Sequence, residues 1–361
     1  MRAPLRRRAL RPLLLAGPTR AAALPWQAAR WWLAAILVAV ILLLTMAVPP
    51  IDGTAVLIRD GAIVGQLRHG GGFYPLAADT LRSGNEALRP ALAFPLPALP
   101  MIAAHLPPLL SIALLVMLAA GVAMAWQARL MPLCRGSLGQ IAVVILLIAG
   151  LGSAARPDLI AVPETWAGLL VALSLACRRP GHAVEAIALG FAAASLAGIA
   201  AIYLLLMALL AWRDGHGRET VGWVLALLLL GMVFGFHVHA VTAVLHPLDA
   251  AGAMAQDTGW STGFSTIAAA TGASLLPVSI GTALVGLATI GWAAWRDPLA
   301  IRASATILMI ALLLMTGVPA MGGLLVAPIA LVGLVFIPDL LRDLAVAALD
   351  NRRITVRRTV R

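Results

Sequence analysis

The run HAVEAIALGFAAASLAGIAAIYLLLMALLAW, residues 182–212, decides the topology of this chain. It contains one charged residue, Glu185. A membrane helix needs about 20 apolar residues, so the run is too long for one span and short for two. Arginines flank it on both sides, at 178–179 and at 213 and 218. Because cytoplasmic loops carry the excess of arginine, we expect the run to cross outward and return, with a break near Gly198.

The composition of the whole chain is typical of a polytopic membrane protein. Of its 361 residues, 61% are hydrophobic and 11% are charged, whereas soluble globular domains have about 45–50% apolar and about 25% charged residues. We therefore predict an all-α membrane protein of about ten transmembrane helices. The predicted spans are 31–48, 107–126, 138–154, 162–176, the two halves of 182–212, 220–245, 277–295, 299–317 and 322–341.

The arginines predict the orientation of this bundle. The chain has 26 basic residues, all of them arginine, and a net charge of +11. With ten spans, 21 of these arginines lie on the side of both termini, which is then cytoplasmic. Nine spans would place the six C-terminal arginines outside, against this rule. The charge is explained by membrane orientation, and no nucleic-acid partner is predicted. The expected location is the bacterial cytoplasmic (inner) membrane.

The predicted organisation has five parts. A basic cytoplasmic tail (1–30) precedes the first transmembrane helix (31–48), and a large exterior loop (49–106) follows it. About nine further helices fill 107–341, and a second basic cytoplasmic tail ends the chain (342–361). Within the exterior loop we expect short helices near 75–82 and 99–105, and a proline-rich interfacial or re-entrant piece at 90–108, because six prolines exclude a regular span there.

The chemistry is expected at the exterior face, since the spans contain few charged residues deep in the membrane. This also argues against an ion-coupled transporter, which needs intramembrane charges. Two cysteines, Cys134 and Cys177, fall near cytoplasmic helix ends and are expected to be unpaired. Three histidines, His237, His239 and His246, have no carboxylate placed to complete a metal site, so we interpret them as an interfacial polar cluster. No motif predicts a metal or another cofactor.

Six stretches of the sequence are informative by their order: FYPLAADTLR (73–82), LRPALAFPLP (88–97), PETWAGLL (163–170), YLLLM (203–207), AP (327–328) and LLRD (340–343). The first resembles an aromatic-Ala-Ala-Arg helix after the first span, the second an "LRPF…RLPTL" segment, and the third an "E-x-W-A-G-L-L" helix. In this order, the stretches resemble the bacterial GT-C-type polytopic glycosyltransferases. The resemblance covers about residues 30–345 and identifies the chain as a divergent member.

The resemblance implies transfer of a sugar from a polyprenyl-phosphate donor to an acceptor at the outer face of the membrane. An exterior carboxylate would take the proton of the acceptor hydroxyl, because a hydroxyl is a weak nucleophile. Asp79 or Asp60 is the expected base, with Glu164 supporting it. The alternative for Glu164 is a non-catalytic role, because the helix dipole favours a carboxylate in the first turn. The expected substrate-binding residues, with the two arginines at the donor phosphate, are Arg82, Arg89, Tyr74 and His69.

Two departures from the family pattern keep other interpretations open. Gly70, Gly71 and Gly72 occupy the place of the family's usual acidic residue, and the stretch 194–198 is uncharged where relatives carry an Arg-Glu pair. Asp79 also lies three positions before Arg82, a spacing that predicts an ion pair on a helix surface. The alternatives are a catalytically inactive relative that binds lipid or a partner, and a transporter or flippase of a lipid-linked sugar.

Overall fold

The computed structural model describes residues 12–84, 86, 88, 90–91, 94–179, 181–249, 259–317 and 320–349. Within these residues the regular structure is helical, apart from two isolated β-bridges, which confirms the all-α prediction. The helices are α1 (Trp26–Thr45), α2 (Thr54–Arg68), α3 (Phe73–Ser83), α4 (Ala98–His105), α5 (Pro108–Leu130), α6 (Ser137–Leu151), α7 (Pro163–Cys177), α8 (Val184–Leu196), α9 (Ala201–Arg213), α10 (Gly217–Thr242), α11 (Thr262–Ala269), α12 (Val278–Ala294), α13 (Pro298–Leu314), α14 (Ala327–Ala330) and α15 (Ile337–Leu349).

The long helices are built for an apolar surrounding. In the described part of the chain, four helical segments are long and apolar enough to cross a membrane: Trp26–Thr45, Pro108–Leu133, Ser137–Ala155 and Gly217–Thr242. In the most apolar part of each segment, between 17% and 28% is buried inside the protein. Large side chains such as Trp31 and Phe236 therefore point outward. An exposed apolar surface of this extent fits lipid rather than water.

Helix ends group at two ends of the molecule. At one end Arg178 binds Glu219 with two hydrogen bonds of 2.7 and 2.8 Å, and Arg302 binds Asp214 at 2.7 Å. We call this the arginine end; it also holds the turn after α5 and the start of α13. We call the other the loop end, and it holds α2, α3 and α4. Arg302 lies inside α13 and is 1% exposed, so it is a buried arginine within a helix.

The decisive run divides as expected. Helix α8 ends at Leu196, a 3-10 turn covers Gly198–Ala200, and α9 begins at Ala201. Each helix has 13 residues, and at 1.5 Å per residue each is about 20 Å long. The hairpin is therefore about 10 Å shorter than the hydrocarbon core of a bilayer. Its turn ends below the loop end and leaves space above it.

The last predicted span, 322–341, is not one helix. It consists of two 3-10 turns, Gly322–Leu325 and Val332–Phe336, with α14 between them and α15 after them. The reason is packing at backbone distance: a Cβ added at Gly333 would lie 1.9 Å from the Ala288 carbonyl oxygen. Such irregular backbone is tolerated at membrane depth where protein surrounds it, and this segment is almost entirely buried.

The two predicted tails are more structured than expected. Helix α15 continues to Leu349, past the predicted boundary at 341. The carboxylate of Asp339, on α15, accepts hydrogen bonds from the backbone N–H groups of Leu13, Leu14 and Leu15 at 2.6–2.9 Å. Asp343 likewise accepts from the N–H and the hydroxyl of Thr19. The N-terminal segment is thus fixed to α15 at the arginine end, because buried N–H groups require acceptors.

We expect Asp339→Asn to loosen this attachment. The amide has one acceptor oxygen and places an NH2 group against N–H donors, which costs about 2 kcal/mol of unfolding free energy. The readouts are thermal unfolding of the purified protein and tryptic cleavage after Arg20. The matched control is Asp158→Asn, because Asp158 forms an exposed pair with Arg156 at the loop end and its loss costs less than about 1 kcal/mol. Equal stability of both variants would contradict the attachment.

The exterior loop was predicted in part. The short helices expected near 75–82 and 99–105 correspond to α3 and α4, and α4 forms the middle of the proline-rich piece. Helix α2 was missed, because Gly61 and Gly65 interrupt its apolar pattern. Helix α11, between the predicted spans 220–245 and 277–295, was also missed. Both cysteines are free, as predicted.

Candidate functional site

The candidate site is a cavity of about 530 Å³ at the loop end. Charged side chains of α2 and α7 line one side, and the opposite side is formed by the turn between α8 and α9. The short α8–α9 hairpin creates this space, since its turn stops below the level of the other helix ends. We call it the carboxylate cavity, after the lining residues Arg59, Asp60 and Glu164, which are accompanied by Val56, Phe94, Pro95, Leu96, Pro163, Leu196, Ala197, Gly198, Ile199, Phe234, Leu313, Ala320 and Met321.

Helix α2 brings Arg59 and Asp60 to the cavity. Its start is set by Asp52, whose Oδ1 accepts from the N–H and the hydroxyl of Thr54 at 2.9 and 2.7 Å, an arrangement that favours a turn before a helix. Its buried side, with Ile63, packs in one cluster with Phe73 and other side chains of α3. The helix is thereby held with Arg59 and Asp60 at the cavity.

Asp60 is a buried carboxylate with one cationic partner. It is 3% exposed, and the Nε of Arg59 donates to its Oδ1 at 2.8 Å. Arg59 also binds Glu86 at 3.1 Å through its Nη1. Burial raises the pKa of Asp60, and the adjacent guanidinium of Arg59 partly offsets this rise. Asp60 is therefore a carboxylate whose proton affinity depends on Arg59.

Glu164 supplies the free acceptor of the cavity. It lies in the first turn of α7, directly after Pro163 at the first helical position, which is where a proline fits a helix. Its Oε2 atom is buried and has no hydrogen-bond partner among the residues that the structure describes. Helix α7 is fixed below it, because a Cβ at Gly168 would lie 2.1 Å from the Leu324 carbonyl oxygen. A buried carboxylate oxygen without a donor is costly, and a ligand hydroxyl would satisfy it.

The cavity has two chemically different sides. Asp60, Glu164 and Arg59 form the charged side, while Phe94 and Phe234 belong to an apolar side. The uncharged stretch 194–198 contributes to the apolar side, so the absence of an Arg-Glu pair there gives the site its apolar wall. Such a cavity can hold a molecule with a polar head and a hydrocarbon chain.

Asp79 and Arg82 lie outside this cavity. Asp79 is 73% exposed in its side chain and binds Arg82 at 3.0 Å, which confirms the predicted i,i+3 ion pair. Arg82 is engaged further by both oxygens of Asp249 at 2.9 Å and by the Val244 carbonyl oxygen. The hydrogen bonds from Arg82 lower the pKa of Asp249. This group therefore ties α3 to the segment after α10 rather than contacting the cavity.

The remaining predicted residues are dispersed. Tyr74 lies behind the cavity wall, where its hydroxyl is 3.3 Å from Nδ1 of buried His237 and its ring stacks on Phe94. His69 follows the end of α2 and is exposed. Arg89 lies outside the described residues. The structure thus brings together Asp60 and Glu164, and leaves Asp79, Arg82, Tyr74 and His69 away from them.

Of the three histidines that were expected to form a polar cluster, His237 belongs to an aromatic cluster. His237 packs against Phe94 and Phe234 as well as Tyr74, while His239 is exposed. Among the residues that the structure describes, no group of three His, Cys, Asp or Glu side chains is placed to hold a metal ion. The cluster supports the wall formed by Phe94.

Sequence reasoning missed Arg59 and Met321. Arg59 was counted as a loop charge, although its position next to Asp60 was a usable signal. Met321 had no signal in the sequence, because its role comes from its contact with Gly53.

No protein-family model, curated protein or solved structure matches this chain.

Proposed function

We propose that this chain is a membrane glycosyltransferase of GT-C-like type, which moves a sugar from a polyprenyl-phosphate donor to an acceptor at the outer face of the bacterial cytoplasmic membrane. The observation that carries the proposal is the unpartnered, buried Oε2 of Glu164 beside Asp60 in a cavity with an apolar wall. The resemblance in sequence supports it independently.

The proposed topology has ten passages with both termini in the cytoplasm. Nine of them are the helices α1, α5 to α10, α12 and α13, and the tenth is the irregular segment at 322–336. The arginine end is then cytoplasmic, in agreement with the positive-inside rule, and the loop end faces the exterior. The break at Gly198–Ala200 between α8 and α9 supports this count.

The donor lipid would enter along the apolar wall. The α8–α9 hairpin is about 10 Å shorter than the hydrocarbon core, so the carboxylate cavity lies at the depth of lipid chains. Arg59 is the arginine that lines the cavity among the described residues, and it takes the phosphate role that the sequence assigned to Arg82 and Arg89. A guanidinium binds phosphate oxygens with charge-assisted hydrogen bonds.

The chemistry then needs one proton acceptor. Glu164 accepts the proton of the acceptor hydroxyl while that oxygen attacks the anomeric carbon of the donor. The bond between this carbon and the phosphate oxygen breaks, a glycosidic C–O bond forms, and polyprenyl phosphate leaves. Asp60 sets the local field and is held by Arg59. A positioned base of this kind contributes about 10²- to 10⁴-fold to the rate.

The test is a mass profile of glycolipids and surface glycans in a strain that lacks the gene. We expect one glycan to lose a sugar, and the wild type and Asp79→Asn to restore it. The double variant Asp60→Asn, Glu164→Gln should not restore it. Restoration by the double variant would refute the proposed base. Movement of a labelled lipid-linked sugar across vesicles without a new glycosidic bond would indicate a transporter instead.

A non-catalytic lipid-binding protein is the second candidate. Two observations favour it: Gly70 and Gly71 have positive φ angles of 99° and 116° in the place of the family's acidic residue, and Asp60 is already engaged by Arg59. Polyprenyl phosphate would then bind in the carboxylate cavity without turnover. Transfer by the purified wild-type protein excludes this candidate.

Replacing Arg59 is expected to change the titration of Asp60. In Arg59→Gln the opposing cation is absent, so burial raises the pKa of Asp60 further than in the wild type. Asp60 would then protonate at higher pH, and its ionised form would be lost earlier as the pH falls. Infrared difference spectra of the carboxyl band, assigned with Asp60→Asn, measure this midpoint. A control is Arg156→Gln, in an exposed pair, and an unchanged midpoint in Arg59→Gln would contradict the prediction.

A further inference from the structure

A second cavity lies on the other side of the start of α2. Its volume is about 380 Å³, and it opens at the loop end. We call it the hydroxyl cleft, because five threonine and serine side chains line it besides two charged side chains. Those polar residues are Asp52, Thr54, Ser153, Arg156, Thr266, Thr271 and Ser274.

The groups of the hydroxyl cleft come from four separate parts of the chain. Thr54 begins α2, Ser153 follows α6, Thr266 belongs to α11, and Ser274 lies in the 3-10 turn before α12. These parts are fixed to one another: the Thr266 hydroxyl accepts from the N–H of Ile51 at 3.2 Å. Polar groups that converge from distant segments on a fixed frame form a binding surface more readily than a mobile loop does.

The chemistry of the hydroxyl cleft suits a polyhydroxylated ligand. Hydroxyl side chains both donate and accept hydrogen bonds. Both bonds from Thr54 to Asp52 end on Oδ1, so Oδ2 retains its acceptor capacity. The hydrogen bonds of Thr54 lower the pKa of Asp52, which keeps this carboxylate ionised at neutral pH. Leu57, Leu159 and Leu275 complete the lining with aliphatic surface, against which the C–H faces of a sugar ring can pack.

Two neighbouring residues, Ala320 and Met321, line both the hydroxyl cleft and the carboxylate cavity. The Cε and Sδ atoms of Met321 lie close to Gly53, where an added Cβ would come within 2.3 and 2.8 Å of them. Methionine is unbranched and flexible, so it can leave such a position at low cost. The boundary shared by the two cavities therefore contains a side chain that can move.

We propose that the hydroxyl cleft binds a carbohydrate from the aqueous side, as the acceptor of the reaction, and that Met321 separates it from the lipid-linked donor. The assignment as acceptor rests on the proposed function, whereas carbohydrate binding in the cleft does not. The acceptor is thus a water-exposed sugar, and the donor is a membrane lipid. The two substrates reach the site from different phases.

The experiment uses the full chain in nanodiscs with two probes. Binding of a panel of methyl hexosides and methyl pentosides is followed by saturation-transfer NMR, and binding of undecaprenyl phosphate by native mass spectrometry. We expect at least one glycoside to bind. Ser153→Phe, which fills the cleft, should weaken glycoside binding at least 10-fold. If Ser153→Phe does not fold, the milder Asp52→Ala should weaken glycoside binding at least threefold. Ser137→Phe, at the arginine end, is the matched control.

The outcomes separate the two proposals. Ile199→Trp places a larger side chain at the apolar wall of the carboxylate cavity and fills the space beside it. This variant should abolish binding of undecaprenyl phosphate, while glycoside binding continues. The hydroxyl cleft is not the carbohydrate site if no glycoside binds to the wild type. The same conclusion follows if glycoside binding is lost in Ile199→Trp but retained in Ser153→Phe and Asp52→Ala. If glycosides bind in the cleft and undecaprenyl phosphate does not bind at all, the cleft assignment stands and the proposed transferase fails.

Discussion

Glu164→Gln is expected to lower sugar transfer at least about 100-fold, because the amide cannot take the proton of the acceptor hydroxyl. The substitution preserves the shape of a side chain whose Oε2 has no partner in the structure, so the protein should fold normally. Binding of undecaprenyl phosphate should stay within about twofold of wild type, since the apolar wall is untouched. The measurement is single-turnover transfer by the purified protein in nanodiscs.

Two substitutions control this prediction. Glu185 also lies in the first turn of an apolar helix, α8, but at the arginine end, so Glu185→Gln should transfer at the wild-type rate. Asp79→Asn tests the other carboxylate that the sequence nominated, and its exposed position outside the cavity predicts full activity. Wild-type turnover by Glu164→Gln, or loss of turnover in Asp79→Asn, would move the base away from the carboxylate cavity.

Gly333→Ala should produce the largest loss of stability. The new Cβ would lie 1.9 Å from the Ala288 carbonyl oxygen and 2.8 Å from Cδ1 of Trp292. Backbone atoms on both sides must then separate, and overpacking of this kind costs about 3 kcal/mol or more. The loss should appear in thermal unfolding and in the yield of monodisperse protein, because α12 and the segment at 332–336 could no longer pack at backbone distance.

Gly121→Ala is the matched control for this substitution. Gly121 lies within α5, and among the described residues no atom lies within 4 Å of a Cβ placed there. Alanine is a better helix former than glycine by about 1 kcal/mol, so this variant should be as stable as the wild type or more stable. Similar unfolding temperatures for Gly333→Ala and Gly121→Ala would show that the close packing of the buried segment is not required.

The sequence predicts the helical spans well where composition alone sets them. The break in the run at 182–212 was predicted correctly. Arginine pairs flank the run, and a short hairpin places both pairs on the same side. The segment at 322–341 has an equally apolar composition, yet it folds into short turns. Its glycines meet carbonyl oxygens of α12 and α11, and contacts between distant segments leave no periodic signal.

The candidate site was predicted by residue but not by arrangement. Asp60 and Glu164 were both named as candidates, and both line the carboxylate cavity although 104 positions separate them in the chain. Asp79 was nominated equally, but its ion pair with Arg82 is a local interaction that the i,i+3 spacing already indicated. Residue type and spacing could not tell which carboxylate faces inward, since that depends on how α2 and α7 approach each other.

The bonds between Asp339 and residues 13–15 set an order of events during synthesis. The donor at Leu13 and its acceptor are 326 positions apart, so at about 5–20 residues per second the ribosome needs on the order of 20–60 s to supply the acceptor. Throughout that interval the early segment has no carboxylate to bind, while the helices between are already entering the bilayer. Among the described parts of the chain, the arginine end is consequently completed late.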